Sequence, residues 1–241
     1  MKEQKTKNNI FPANLARFLS LAGLASRRKS SEIVKDGNVE VNGKTVCEPG
    51  FKVNQDDCVH CYGKLVELGV RYYVMLNKPS GYICTAEDPN APQKAIDLID
   101  IPNVRLFSIG RLDKDSEGML LFTNDGDYTD RLTHPRYEIT KTYRITTDWP
   151  LPKDAIKQFK EGIEDEGELL RASEVVKAES DCVYIFKLKE GKKREIRRMI
   201  RYAQRKTTRL QRIAVGELSL GNLPLGKWRF LNENEVKLSL K

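Results

Sequence analysis

The chain has 241 residues, of which 39% are hydrophobic and 8% aromatic, enough for one large domain or a small and a medium one. No run approaches the ~18 consecutive apolar residues of a membrane span. The polar start Met1–Asn9 has no apolar segment behind it, so no secretory signal is expected. The net charge of +8 is concentrated: Lys187 to Arg212 holds twelve Lys or Arg against Glu190 and Glu195, the footprint of a polyanionic partner, first of all nucleic acid.

Residues 1–13 read as a flexible basic tail. A small domain is expected over 14–69 and a larger one over 70–241. In the small domain, Leu15, Phe18, Leu19 and Ala22 lie on one face of a helix that Asn14 can cap and Gly23 ends. A second helix starts after Ser26, with Arg27, Arg28 and Lys29 in its first turn, Ile33 and Val34 facing inward, and Lys35 near its end. Asp36-Gly37 stops it, and Val39 to Val46 reads as a hairpin about Asn42-Gly43. The basic end of the second helix suits bidentate phosphate contact, and equally a solvated helix face. Cys58-Val59-His60-Cys61 invites a zinc reading, but no second ligand pair is spaced for it; a strand entering the Gly63-Lys64 turn is expected, and no metal. The odd set Cys47, Cys58, Cys61, Cys84 and Cys182 suits free thiols in a reducing cytoplasm.

The larger region reads as many short strands with a few helices. Arg71–Leu76 is a strand followed by a sharp turn at Lys78-Pro79-Ser80-Gly81. Two apolar stretches, Val104–Ile109 and Met119–Phe122, hold between them the loop Gly110-Arg111-Leu112-Asp113-Lys114-Asp115-Ser116-Glu117-Gly118. Loops between rigid strands are a common place to aim a catalytic side chain. A short helix over 127–134 ends at Pro135, and Lys141–Thr146 alternates as a strand containing Tyr143. Ile196, Met199, Ile200 and Ala203 mark a helix beginning near Glu195, with Arg197, Arg198 and Arg201 on its other faces. Asn232 to Glu235 resembles a capping box.

The Gly-Arg-Leu-Asp run with its second Asp and later Gly resembles the signature loop of bacterial rRNA pseudouridine synthases of the RsuA type. Lys78-Pro79-x-Gly81, Lys141-x-Tyr143 and Gly191 to Arg198 match further motifs in order. Ser-Arg-Arg followed by Val-Asn-Gly resembles the S4-like RNA-binding module. The resemblance covers Leu15 to Val236. It implies an α+β chain: a small N-terminal S4-like domain, then a catalytic domain on a mixed, mainly antiparallel sheet with flanking helices.

On that resemblance the protein isomerises a uridine of ribosomal RNA to pseudouridine without metal or cofactor. Asp113 is implied as nucleophile, Tyr143 as the residue against the base, and Arg197 as the partner of Asp113. Arg111 would hold the backbone or help eject the base, and Lys78 would meet a phosphate. Lys192, Lys193, Arg194 and Arg198, with Arg27, Arg28, Lys29 and Lys35 of the module, are the candidate RNA contacts. Asp115 is expected to hydrogen-bond its own turn. Glu195 stands where Gln is usual, so either Arg194 compensates its charge or it points away.

The partner implied is ribosomal RNA or a pre-ribosomal particle, the place of action the cytoplasm, with no membrane, and the expected state is a monomer. Ser26-Arg27-Arg28 and Leu225–Arg229 lean toward large-subunit enzymes, and Arg71–Pro79 toward small-subunit ones. A non-catalytic ribosome assembly factor that binds rRNA is the competing reading. A glycosidase or nuclease is weaker, for no second carboxylate is placed as an acid and no metal cluster is visible.

Overall fold

A computed structural model describes residues 10–85, 93–102 and 104–241. The chain divides into two compact units: residues up to Tyr72 with the short segments 102–105 and 124–126, and the remainder.

In the first unit, β1 (Ala13–Asn14) leads into α1 (Leu15–Leu21) and α2 (Arg27–Lys35). The strands β2 (Val39–Val41), β3 (Lys44–Thr45), β4 (Lys52–Val53), β5 (Val59–Cys61) and β6 (Lys64–Leu65) follow. The order β3-β2-β5-β6 makes a small sheet, and β4 pairs with β1. Leu15, Leu19, Val34, Val39, Val53 and Val59 are fully or almost fully buried and form its core. Ser26 accepts a hydrogen bond from the Lys29 N–H at 3.3 Å and caps α2. Asn14 sits at the N-cap of α1, but its side chain makes no capping bond and accepts instead from Lys52 Nζ at 2.7 Å. The first N–H groups of α1 go to the carbonyls of Phe51 and Pro49, so the helix start is satisfied by neighbouring backbone. Asn42 and Gly43 have φ of 52° and 76°, the left-handed pair that a two-residue hairpin turn requires.

The expected tail is shorter than 1–13. Ile10 and Ala13 are buried, and Ala13 pairs with Val53, because Ala13 and the partly buried Phe11 have a core to join. Residues 1–9 of the expected tail lie outside the described residues. Cys61 belongs to the core, where burial pushes its thiol pKa up, whereas Cys58 is exposed.

The second unit contains β7 (Tyr73–Lys78), β8 (Phe107–Ile109), β9 (Glu117–Thr123), α3 (Gly126–Thr133), β10 (Lys141–Thr147) and α4 (Lys153–Glu161). They are followed by β11 (Ile163–Asp165), β12 (Glu168–Leu170), β13 (Glu174–Lys177), β14 (Val183–Leu188) and α5 (Glu195–Tyr202). Last come β15 (Thr207–Val215), β16 (Leu218–Ser219), β17 (Trp228–Phe230) and α6 (Glu233–Ser239). Among the described residues one nine-stranded sheet runs β13-β14-β10-β15-β9-β7-β17, with β8 on β9 and β16 on β15. Its pairs are antiparallel except β9 with β15, the mixed, mainly antiparallel sheet expected. Asn232 and Glu235 make the capping box of α6.

The parallel contact explains the second glycine of the signature run. Gly118 lies opposite Arg212 at φ 103°, and a Cβ there would overlap the Arg212 backbone. The strand expected at Arg71–Leu76 runs instead from Tyr73 to Lys78, held in register with β9 from Thr123 down to Gly118.

Candidate active site

The Asp113 loop is fixed from beneath by a buried lysine. Lys78, at the end of β7, is fully buried. Its Nζ donates to the carbonyls of Ser116 at 2.7 Å, Pro79 at 3.0 Å and Asp113 at 3.3 Å. Burial lowers its pKa, against the opposing pull of Cys84, Asp115, Asp113 and Glu117. Gly81 N–H donates to Lys114 O at 2.7 Å, and Ser116 N–H closes the turn on Asp113 O at 3.0 Å. The expected phosphate contact of Lys78 is therefore corrected. Its ammonium is enclosed and saturated by loop carbonyls, and it shapes the loop rather than meeting RNA.

From the other side α5 closes on the loop through Asp115. Arg197 Nη2 lies 3.2 Å from Asp115 Oδ2 and donates to the Asp115 carbonyl at 2.9 Å. Arg194 Nη2 lies 3.3 Å from the same Oδ2, and Arg194 Nη1 lies 3.8 Å from Asp113 Oδ2. Burial opposes ionisation of Asp115, but Arg194 and Arg197 prevail and hold its carboxyl below the usual range. The expected Arg197–Asp113 pair is thus replaced: Arg197 grips Asp115, and Arg194 is the cation nearest Asp113. The register of α5 decides this, since Arg194 is its N-cap at φ 51° while Arg197 sits in its first turn. Asp115 is bound across to another element, which its turn position did not suggest.

Asp113 and Tyr143 line one cavity of about 460 Å³ together with Arg111, Lys192, Lys193, Arg194 and Glu195. Tyr143 is buried in mid-β10, so only part of its ring faces the space. An adjoining cavity of about 330 Å³ shares Arg111, Tyr143 and Lys192 and adds Lys141, Lys189 and Arg212. Sequence reading missed Lys141 and Arg212. The signal was present for Lys141, two residues before Tyr143 on a strand and so on its face. Arg212 lies directly across from Tyr143, which only the pairing reveals. Burial first, then Arg212, lowers the Lys141 pKa.

Glu195 follows neither expected course. It is buried, accepts the Lys192 N–H at 3.1 Å and lines the cavity. Burial pushes its carboxyl pKa up despite hydrogen bonds from the backbone of Lys192 and Arg171. Arg198, expected to contact RNA, is buried and held by Asp165 and Glu168; its amphipathic helix turns it toward β11 and β12, away from solvent. Lys192 donates to Leu169 O at 2.5 Å and lies 3.1 Å from Glu190. Arg111 and Lys193 are exposed at the cavity rim, and in the first unit Arg27, Arg28, Lys29 and Lys35 are exposed along α2.

The geometry joins a loop carboxylate, a strand tyrosine and a helix N-terminus rich in arginine. A family model for RNA pseudouridylate synthase matches residues 72–202, which include Asp113, Tyr143 and Arg197, and an S4 domain model matches residues 14–59. The chain is 36% identical to ribosomal large subunit pseudouridine synthase B of Bacillus subtilis, over 92% of this chain and 93% of that one. It is 33% identical to ribosomal small subunit pseudouridine synthase A of Vibrio cholerae, over 92% and 97%. A crystal structure of a pseudouridylate synthase superimposes with a TM-score of 0.68 at 27% identity, covering 93% of this chain and 98% of that one. By the family model that matches more than half of it and by these relatives, the chain belongs to the RNA pseudouridine synthase family.

Proposed function

We propose that the protein isomerises one uridine of ribosomal RNA to pseudouridine, with Asp113 as the reacting carboxylate. The observation that carries this is the single cavity lined by Asp113, Tyr143, Arg111 and Lys193, a half-polar space with cations at its rim. The target uridine must leave its stack to enter. The N1–C1′ bond then breaks, the base turns, and C5 bonds to C1′. The proton lost from C5 is balanced by one gained at N1, so no redox partner is needed.

Asp113 stabilises or captures the sugar carbon as the base departs. Tyr143 stacks against the uracil and borders its proton-transfer path. Arg194, the cation nearest Asp113 at 3.8 Å, orients the carboxylate. Arg111, Lys193 and the exposed α2 residues Arg27, Arg28, Lys29 and Lys35 supply phosphate contacts, with residues 14–69 as the RNA-binding domain and 70–241 as the catalytic one. On this reading the protein acts as a monomer, in the cytoplasm, on rRNA or a pre-ribosomal particle.

The test is tritium release from rRNA labelled at uridine C5, by the native protein and Asp113→Asn. Small- and large-subunit RNA are offered, naked and in partly assembled particles. Release that the substitution abolishes while RNA binding persists supports the reading and names the subunit. Tight binding by both forms with no release from any substrate overturns it in favour of an assembly factor.

A further inference from the structure

Most of the basic run from Lys187 to Arg212 is neutralised internally. Eight of its twelve cations lie within ion-pair distance of a carboxylate. Among the described residues, Lys193, Arg205, Lys206 and Arg212 are in no ion pair. Lys193 and Arg212 line the two cavities. Arg205 and Lys206 do not; they follow α5 and flank Trp149, whose 69% exposure exceeds that of the other exposed large apolar residues described.

The backbone at Trp149 is held on both sides. Its carbonyl accepts from Thr147 Oγ1 at 2.8 Å, and its N–H donates to Asp148 Oδ1 at 2.9 Å. The same Oδ1 accepts the Lys206 N–H at 2.9 Å, and Asp148 N–H donates to Lys206 O at 3.0 Å. On the far side Arg205 Nε donates to Pro150 O at 2.9 Å. The exposed indole is thus carried on backbone pinned to the Lys206 backbone and, through Pro150, to the Arg205 guanidinium. The carboxylate of Asp148 is engaged by the backbone N–H groups of Trp149 and Lys206 and also attracts Arg205. A protein partner would call for a contiguous apolar patch. An exposed ring on braced backbone, with an Arg and a Lys on the neighbouring segment, fits a base with its adjoining phosphates. Trp149 lies beyond the end of β10, whose four residues after Tyr143 already carry the strand about 13 Å away, so its ligand is not the nucleotide in the cavity.

We propose that Trp149, Arg205 and Lys206 form a stacking platform for a single-stranded RNA nucleotide that flanks the reacting uridine. This rests on the reading of the substrate as RNA and extends it to a second point of contact.

The experiment measures binding of a labelled 12-nucleotide single-stranded RNA to the full chain, and in parallel the kinetics of tritium release. Trp149→Ala should weaken binding about tenfold and Trp149→Phe only about threefold, since a ring is retained. Arg205→Gln with Lys206→Gln should lower the slope of log affinity against log salt by about 1.4. At saturating rRNA all three variants should keep the native turnover, with KM raised. Unchanged binding by Trp149→Ala, or an equal loss in Trp149→Phe, overturns the platform. Because binding is read directly, a native protein that releases no tritium sinks the catalytic reading while the binding comparison still decides for or against the platform.

Discussion

Arg197 closes on Asp115 and not on Asp113: its Nη2 reaches both the Asp115 carboxylate, at 3.2 Å, and the Asp115 carbonyl, at 2.9 Å. The carboxylate proposed to react, Asp113, and the carboxylate that fastens the loop, Asp115, are two residues apart.

Asp115→Asn should therefore damage catalysis while leaving Asp113 in place. Loss of the charge loosens the link between the loop and α5. We expect kcat to fall about tenfold to a hundredfold with little change in RNA affinity, as a 1 Å displacement of a reacting group can cost that much. Single-turnover tritium release checks it, and Asp115→Glu should recover part of the rate.

Lys78→Met leaves three loop carbonyls without their donor, at a cost of about 2–4 kcal/mol in unfolding free energy. The sign with pH follows from burial. The lowered pKa means that the unfolded chain binds more protons here than the folded one, so the contribution of Lys78 grows as pH rises through the folded pKa toward 10.5. Denaturant unfolding of both proteins between pH 7 and 10 should show the gap between them widening.

At Glu195 the pH dependence runs the other way. A buried carboxyl with a raised pKa contributes fully below its ordinary value of 4.5 and loses that contribution as pH climbs through the folded pKa. Glu195→Gln keeps the acceptor for the Lys192 N–H and removes the charge. It should raise stability at pH 7, with the gain shrinking toward pH 4 in thermal melts.

Buried and exposed arginines should respond oppositely to removal. Arg198→Ala strips Asp165 and Glu168 of their partner and should lower the melting temperature by about 5 °C without altering the salt dependence of RNA binding. Arg27→Gln with Arg28→Gln, both exposed, should leave melting unchanged and reduce the salt slope by about 2. Calorimetry and a salt titration separate the two.

Much of the fold and of the site was legible in the residues. The periodicity of α1 and α5, the Asn42-Gly43 hairpin and the loop between β8 and β9 follow from local patterns that burial then fixes. What escaped was set by distant pairing. A lysine in a turn motif reads as exposed, and only the register of β7 on β9 encloses Lys78 beneath the loop. A run of arginines reads as one basic surface, yet acidic residues of β11, β12 and the Asp113 loop neutralise much of it. Arg197 matched a motif whose pairing partner depends on the rotation of α5, which spacing does not encode.

The parallel pairing of Gly118 with Arg212 has a consequence for how the protein comes into being. The loop that carries Asp113 is made early, but its clamp at 194–197 and its neighbouring strand at 207–215 emerge from the ribosome some 80 to 100 residues later. Contacts so far apart in sequence close late in folding. The Asp113 loop therefore lacks its clamp while the chain is being synthesised, and a nascent chain that has not yet released residues 194–215 is expected to leave RNA unmodified.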